Sequence, residues 1–302
     1  MHRITLLEAA SIAAGASGKA GGLLGLWAYP ECLVPLSYRL HRELAEEHGG
    51  AERWGYRRLT CGRIGAIVKP DDLERLGSQT ENGIITALRS VTSTEKSESG
   101  DSKDWEKLPK QDNKAARLLK NSPLPDELDW VNSEMIQWYE EMGEPGFTET
   151  AQVHPFYFTN ALANLAKEKG VDIRIGVKVT KINQSKTAVR SIEYENRETS
   201  TNHTIDDVTD VVVTAGPWTG KLLPRSRVEG LRAHSVVYDA DVSPYAVFTD
   251  IQLPTDYVPE HRARMGQKRK HRGNVDPEIY ARPGSEVYAC GKVSLPSASL
   301  PP

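Results

Sequence analysis

Ile4-Thr5-Leu6-Leu7-Glu8 and, shortly after it, Ala13-Ala14-Gly15-Ala16-Ser17-Gly18-Lys19-Ala20-Gly21-Gly22 decide how this chain folds. The short apolar and β-branched run over 4–7 reads as a buried parallel strand. Glu8 closes it. An acidic side chain at the carboxyl end of such a strand is the usual partner of an adenosine ribose, whose hydroxyls donate to the carboxylate. The alternative is a strand that merely ends in glutamate. The small-residue stretch that follows lets backbone approach another molecule closely. With Ser17 and Lys19 it offers amide donors, a hydroxyl and a cation, a set suited to a pyrophosphate or to a flat ring laid against backbone. A flexible loop without a ligand has the same composition. No Gly-Lys-Ser/Thr ends the stretch, so it is not a P-loop.

Outward from this stretch the pattern is helical. Leu33, Leu36, Leu40 and Leu44 recur at spacings of three and four. Pro35 suits a first turn and Gly49-Gly50 a C-terminal stop. Residues 90–115 are almost wholly polar and read as an exposed insertion. A helix is expected over 159–169, with Leu162, Leu165 and Ala166 inward and Gly170 closing it. Residues 171–175 and 177–182 alternate as strands. Further strands are expected over 188–195 and, as a buried run, Val208 to Thr214, which leads into Ala215-Gly216-Pro217-Trp218. The runs 235–238, 245–251, 278–282 and 286–290 are short, separated by turns and antiparallel in character.

Composition removes several classes of function. The chain has 302 residues, 38 basic and 41 acidic side chains, and a net charge of −3. That balance disfavours a general nucleic-acid binder, which is usually strongly basic. No apolar run is long enough for a spanning helix. Cys32, Cys61 and Cys290 are widely spaced and odd in number, which fits a reducing compartment better than a disulfide framework or a metal cluster. Residues 262–272 carry six formal positive charges. A solvated loop is the expected reading, a targeting or acidic-surface patch the rival one.

Glu8, the Gly15–Gly22 run and Ala215-Gly216-Pro217-Trp218, in this order and spacing, resemble the D-amino-acid oxidase/glycine oxidase superfamily of FAD-dependent oxidoreductases. Residues 23–30 and Ala151-Gln152-Val153-His154-Pro155 resemble a fungal branch, which includes a yeast oxidoreductase linked to endosome-to-Golgi transport. The resemblance implies an α/β fold in which a Rossmann-like FAD-binding domain, incomplete at its first βα unit, is interleaved with a strand-rich α+β substrate domain. On it, residues 1–50 and 151–230 bind FAD and residues 51–150 and 231–291 form the substrate domain. Residues 292–302 are a disordered tail.

The resemblance also assigns site residues. Glu8 meets the adenosine ribose. Ser17, Gly18 and Lys19 lie near the pyrophosphate or ribityl chain, and Gly21, Gly22 and Leu23 near the isoalloxazine. Val179 matches the position whose backbone meets adenine. Ala215, Gly216 and Trp218 lie on the phosphate side. Arg282, in Tyr280-Ala281-Arg282-Pro283-Gly284, resembles the family's Arg-Pro-Asp-Gly segment, where an arginine holds a substrate carboxylate with its planar fork. A surface position at the end of a strand is the other reading of Arg282. His154 reads as a structural residue in preference to a site residue.

The chain departs from the family pattern at both ends. A Gly-x-Gly-x-x-Gly turn is expected about 20 residues before the acidic residue, and Glu8 has too little chain before it. The Ser/Pro-rich ending also differs from the family's closing segment. The sequence therefore reads as a family member truncated at both ends. The expected activity is oxidation of an amine, amino acid or related small carboxylated substrate by hydride transfer to FAD, and a chain without the first glycine turn is expected to bind FAD weakly and to be inactive on its own. The rival is a non-catalytic trafficking component with an endosomal protein partner. The expected location is cytoplasmic, endosome-associated if the fungal resemblance extends that far.

Overall fold

The computed structural model describes residues 3–73, 123–143, 149–268 and 273–291. The expected insertion over 90–115 and the tail over 292–302 lie outside the described residues, as does the 269–272 part of the basic cluster. The chain divides into two compact units. One comprises Met1–Thr60, Met142–Ala246 and Ile279–Pro302, the other Cys61–Glu141 and Val247–Glu278.

The first unit is the α/β one. Strand β1 (Thr5–Glu8) runs parallel to a later strand, Asp172–Ile175, with Glu8 opposite Ile175. Gly176 follows with φ +74, a left-handed corner that glycine adopts without a Cβ penalty. The chain then enters Val177–Gln184, which forms a three-stranded antiparallel sheet with Val189–Asn196 and Thr201–Asp206. The alternating runs read from the sequence thus part company at one glycine, the first into a parallel pair and the second into an antiparallel sheet.

Helix α1 (Ala16–Lys19) is a single turn, and strand β2 (Leu23–Gly25) follows it. Helix α2 (Val34–His48) starts with Pro35 in its first turn. It ends at Gly49, whose left-handed backbone (φ 66, ψ 47) lets its N–H meet Ala45 O. Helix α3 (Gly50–Trp54) adds one more turn. Helix α4 (Pro155–Glu168) begins four residues before the expected start, because Pro155 occupies the first turn and His154 precedes it. Trp54, 1% exposed, packs with Ala45, Val153 and Ala161 and meets Phe158 edge-on at 5.6 Å.

Two expectations fail. Val208–Thr214 is not a strand: Val212 is 85% exposed, and the run pairs with no strand among the described residues. Three consecutive valines carry β-propensity, but propensity without a neighbouring ladder builds nothing. Of the leucine stripe of α2, whose spacing predicts a helix and not which face is covered, only Leu44 packs against the Trp54 cluster. Leu33, Leu36 and Leu40 are 60%, 49% and 43% exposed, while Tyr38 and Ala45 are buried. β1, expected to be buried, is likewise half covered, with Leu6 39% exposed.

In the second unit, Tyr245–Gln252, Thr60–Ile67 and Ile136–Glu141 are neighbours in that order. Tyr139 and Trp138 lie over Gly62 and Gly65 of the middle strand, where a Cβ would stand 2.4 and 2.1 Å from their rings. Thr249 donates to Pro277 O at 2.6 Å and packs inside.

Candidate functional site

Glu8 is half-buried at the carboxyl end of β1. Its Oε1 accepts from the Ala10 N–H at 2.8 Å, and Oε2 has no protein partner among the described residues. Arg197 fixes the turn beyond it by donating to Ala9 O at 2.9 Å. The strand that carries Val179 runs beside β1, and the short Thr219–Leu222 helix lies beside that strand. The strands that carry Glu8 and Val179 are therefore neighbours, and the helix that follows the Ala215-Gly216 turn lies beside the second of them. Trp218 is 48% exposed there.

The second cluster forms around the glycine run. α1 packs on α4, and Thr159 donates to Ser17 O at 3.4 Å. Ser17 and Lys19 are exposed. Gly22 has φ +85 and its O accepts from the Val153 N–H at 3.0 Å. β2 then pairs with Thr150–Gln152, Leu23 opposite Gln152. Gln152, fully buried, accepts from Arg57 at 3.2 and 3.1 Å, and Arg57 also donates to Ala281 O at 2.8 Å. Burial lowers the Arg57 pKa from its usual value.

Arg282 is buried, 6% exposed, and not at the surface. Its guanidinium donates to Ala20 O, to Gly21 O at 3.4 Å and to Glu286 Oε2 at 3.4 Å. It also lies 4.3 Å from the centre of the Tyr288 ring. Glu286 in turn faces His154 Nε2 at 3.3 Å, while His154 Nδ1 is buried without a partner. The His154 pKa is lowered, first by burial and further by Arg282. The Glu286 carboxylate opposes this by attraction and hydrogen bonding. The structure thus brings Gly21, Gly22, Leu23, His154 and Arg282 together. Arg57 and Arg197 join these clusters without any spacing signal in the sequence, since each reaches its partner across the fold, while Glu286 stands four residues from Arg282 and reaches His154 across the fold.

The donor set suits a dinucleotide. At Gly15 and Gly216 nothing lies within 4 Å of where a Cβ would stand, so both present open backbone. Glu8 Oε2 is an uncommitted acceptor of the kind a ribose requires, and Ser17 and Lys19 supply a hydroxyl and a cation on an exposed turn. These residues fit an adenosine ribose and a pyrophosphate, whereas the Cβ directions of Gly21 and Gly22 are filled by Tyr280 and by Val153 and Pro155.

A family model described as FAD dependent oxidoreductase, DAO, matches residues 1–287. The chain belongs to this family. FAD is its cofactor, and the fold is an α/β FAD-binding part with a strand-rich part. Among fungal relatives, the Saccharomyces cerevisiae protein TDA3, an oxidoreductase by name, is 30% identical over 99% of this chain and 70% of its own length. A Schizosaccharomyces pombe protein, also an oxidoreductase by name, is 27% identical over 96% of this chain and 62% of its own length. The crystal structure of glycine oxidase from Bacillus cereus has the same fold. It has a TM-score of 0.56, 18% identity, and coverage of all of this chain and 70% of that one. No helix among the described residues is long and apolar enough to cross a membrane.

Proposed function

We propose that this chain oxidises a small carboxylated amine or amino acid. FAD, when bound, supplies the acceptor for the hydride that leaves the substrate carbon. Glu8 accepts hydrogen bonds from the adenosine ribose through Oε2. Ser17, Gly18 and Lys19 meet the pyrophosphate or ribityl chain, while Gly21, Gly22 and Leu23 carry the ring. Val179 backs the adenine, and Ala215, Gly216 and Trp218 stand on the phosphate side.

One observation carries the substrate assignment: a buried guanidinium beside the glycine turn, fastened to the carbonyls of Ala20 and Gly21. Arg282 orients that turn, and its Nη1, held only at 3.4 Å by Glu286, is the donor that turns to a substrate carboxylate. His154 keeps Glu286 in place. Its lowered pKa leaves it neutral at pH 7, so Glu286 is the one anion facing Arg282 in this cluster.

The test is anaerobic. FAD-loaded protein is titrated with glycine, D- and L-amino acids, sarcosine and 2-hydroxy acids, and flavin absorbance is followed. Bleaching by one of the amines, with a weaker apparent affinity in Arg282→Lys, supports the reading, because lysine keeps the charge and loses the fork. Bleaching with equal affinity in that variant removes Arg282 from the substrate. Flavin bound but never reduced favours the rival, a trafficking component that retains the fold.

A further inference from the structure

Tyr38, in the first half of α2, is 8% exposed, and its hydroxyl is buried without a hydrogen-bond partner. Buried polar groups in native proteins are nearly always satisfied, so an orphaned phenol points to something it meets. The same side chain lines a cleft of about 320 Å³ with Leu26, Pro35, Arg39, Arg42, Arg58 and Glu149. That volume lies at the lower end of the range for small-molecule sites. Leu26 and Pro35 form an apolar wall. The polar side is almost entirely arginine.

These arginines are not used up by the protein. Arg58 lies 5.7 Å from the centre of the Tyr38 ring and makes no hydrogen bond or ion pair among the described residues. Arg39 and Arg42 meet Glu43 at 3.5 Å and Glu46 at 3.8 Å through Nε. Such exposed i,i+4 pairs contribute little and leave the paired Nη groups uncommitted. Three guanidiniums against the one carboxylate of Glu149 leave the lining two charges positive. Burial raises the Tyr38 pKa, with Arg58 the main opposing charge, so the phenol stays protonated and donates. Tyr56, whose hydroxyl is also buried without a partner, feels the same Arg58 and Arg42.

We propose that this cleft binds a compact dianion, a phosphate monoester or a dicarboxylate, whose apolar body rests on Leu26 and Pro35. The planar guanidinium fork matches both oxyanions, and a double negative charge balances the lining. The site involves none of the residues assigned to FAD or to the amine, so it stands or falls apart from the redox reading.

The test is calorimetric titration of the FAD-loaded full chain at low ionic strength with glycerol 3-phosphate, succinate and acetate. One saturable site for a dianion is expected, with acetate at least tenfold weaker and the affinity falling as salt is added. The tighter of the two dianions identifies the source. Arg58→Gln and Arg42→Gln should each weaken that dianion about tenfold or more while flavin content is unchanged. Tyr38→Phe should weaken it too, without lowering the Tm of the protein free of dianion, because the lost hydroxyl had no partner. No saturable heat with either dianion, acetate as tight as a dianion, or unchanged affinity in Arg58→Gln would each overturn the proposal. The Arg58 side chain is exposed and makes no hydrogen bond or ion pair among the described residues, and its backbone ladder with Ala151 is kept in the variant, so Arg58→Gln tests binding with little effect on folding.

Discussion

Replacing Gly22 by alanine probes the turn on which the flavin assignment depends. Its φ of +85 lies where L-residues are strained, which costs about 1–2 kcal/mol. The new Cβ would stand 2.1 Å from Val153 O and 3.0 Å from Pro155 Cδ. Neither neighbour yields easily. Val153 O is backbone in a buried stretch, and Pro155 is fixed in the first turn of α4. Relief therefore moves Gly22 itself and weakens the Val153 N–H to Gly22 O bond, worth about 0.5–1.5 kcal/mol. The two contributions together destabilise the variant by about 1.5–3.5 kcal/mol, a large part of the usual 5–15 kcal/mol. Gly15→Ala is the control. Its backbone is at φ −88 and its Cβ meets nothing within 4 Å, so its stability should stay within about 0.5 kcal/mol of the parent or rise slightly. Urea unfolding with and without FAD separates the effects: Gly22→Ala loses stability in both, whereas Gly15→Ala loses only the increment that FAD adds. A Gly22→Ala midpoint equal to that of the parent would refute the packing argument. An undiminished FAD increment in Gly15→Ala would remove that backbone from the cofactor.

Three further outcomes follow from single side chains. Glu8→Ala should weaken FAD binding by roughly 1.5–3 kcal/mol, since the carboxylate's charge-assisted bonds to the ribose are lost; an unchanged Kd takes Glu8 out of the site. His154 is held neutral by burial, with its folded pKa below the unfolded value near 6.5. As pH falls below about 6.5 the unfolded chain takes up the proton first, so stability drops toward acid, and His154→Asn should flatten that part of the stability–pH curve. A curve of the same slope in the variant would assign the acid sensitivity elsewhere. The Cys61 thiol, 1% exposed, is pushed up to about 12 by burial with help from Glu278, so it should resist iodoacetamide at pH 8 in the native protein, whereas exposed Cys32 alkylates. Peptide mapping that finds Cys61 modified before unfolding contradicts the burial.

Much of this protein is determined by short-range sequence. Pro35 and Gly49 bound α2 because a ring-locked φ starts a helix and a left-handed glycine ends one. The run ending in Glu8 is a strand with a parallel partner, and Gly15–Gly22 is a tight small-residue turn, both readable from residue type and order. The family itself is legible for the same reason, since its signature sits in contiguous motifs. Tertiary structure alone decided three things. Val208–Thr214 has the composition of a strand and forms none, because a ladder needs a neighbour that local sequence does not specify. Leu36 and Leu40 of α2 face outward while Tyr38 and Leu44 are covered, since which side of an amphipathic helix is covered depends on what packs there. Arg282 lies 261 residues from Gly21 in the chain, yet its guanidinium closes on the carbonyls of the glycine turn. No spacing rule spans that separation; the contact exists because a buried charge must find partners, and the fold brings these carbonyls into reach.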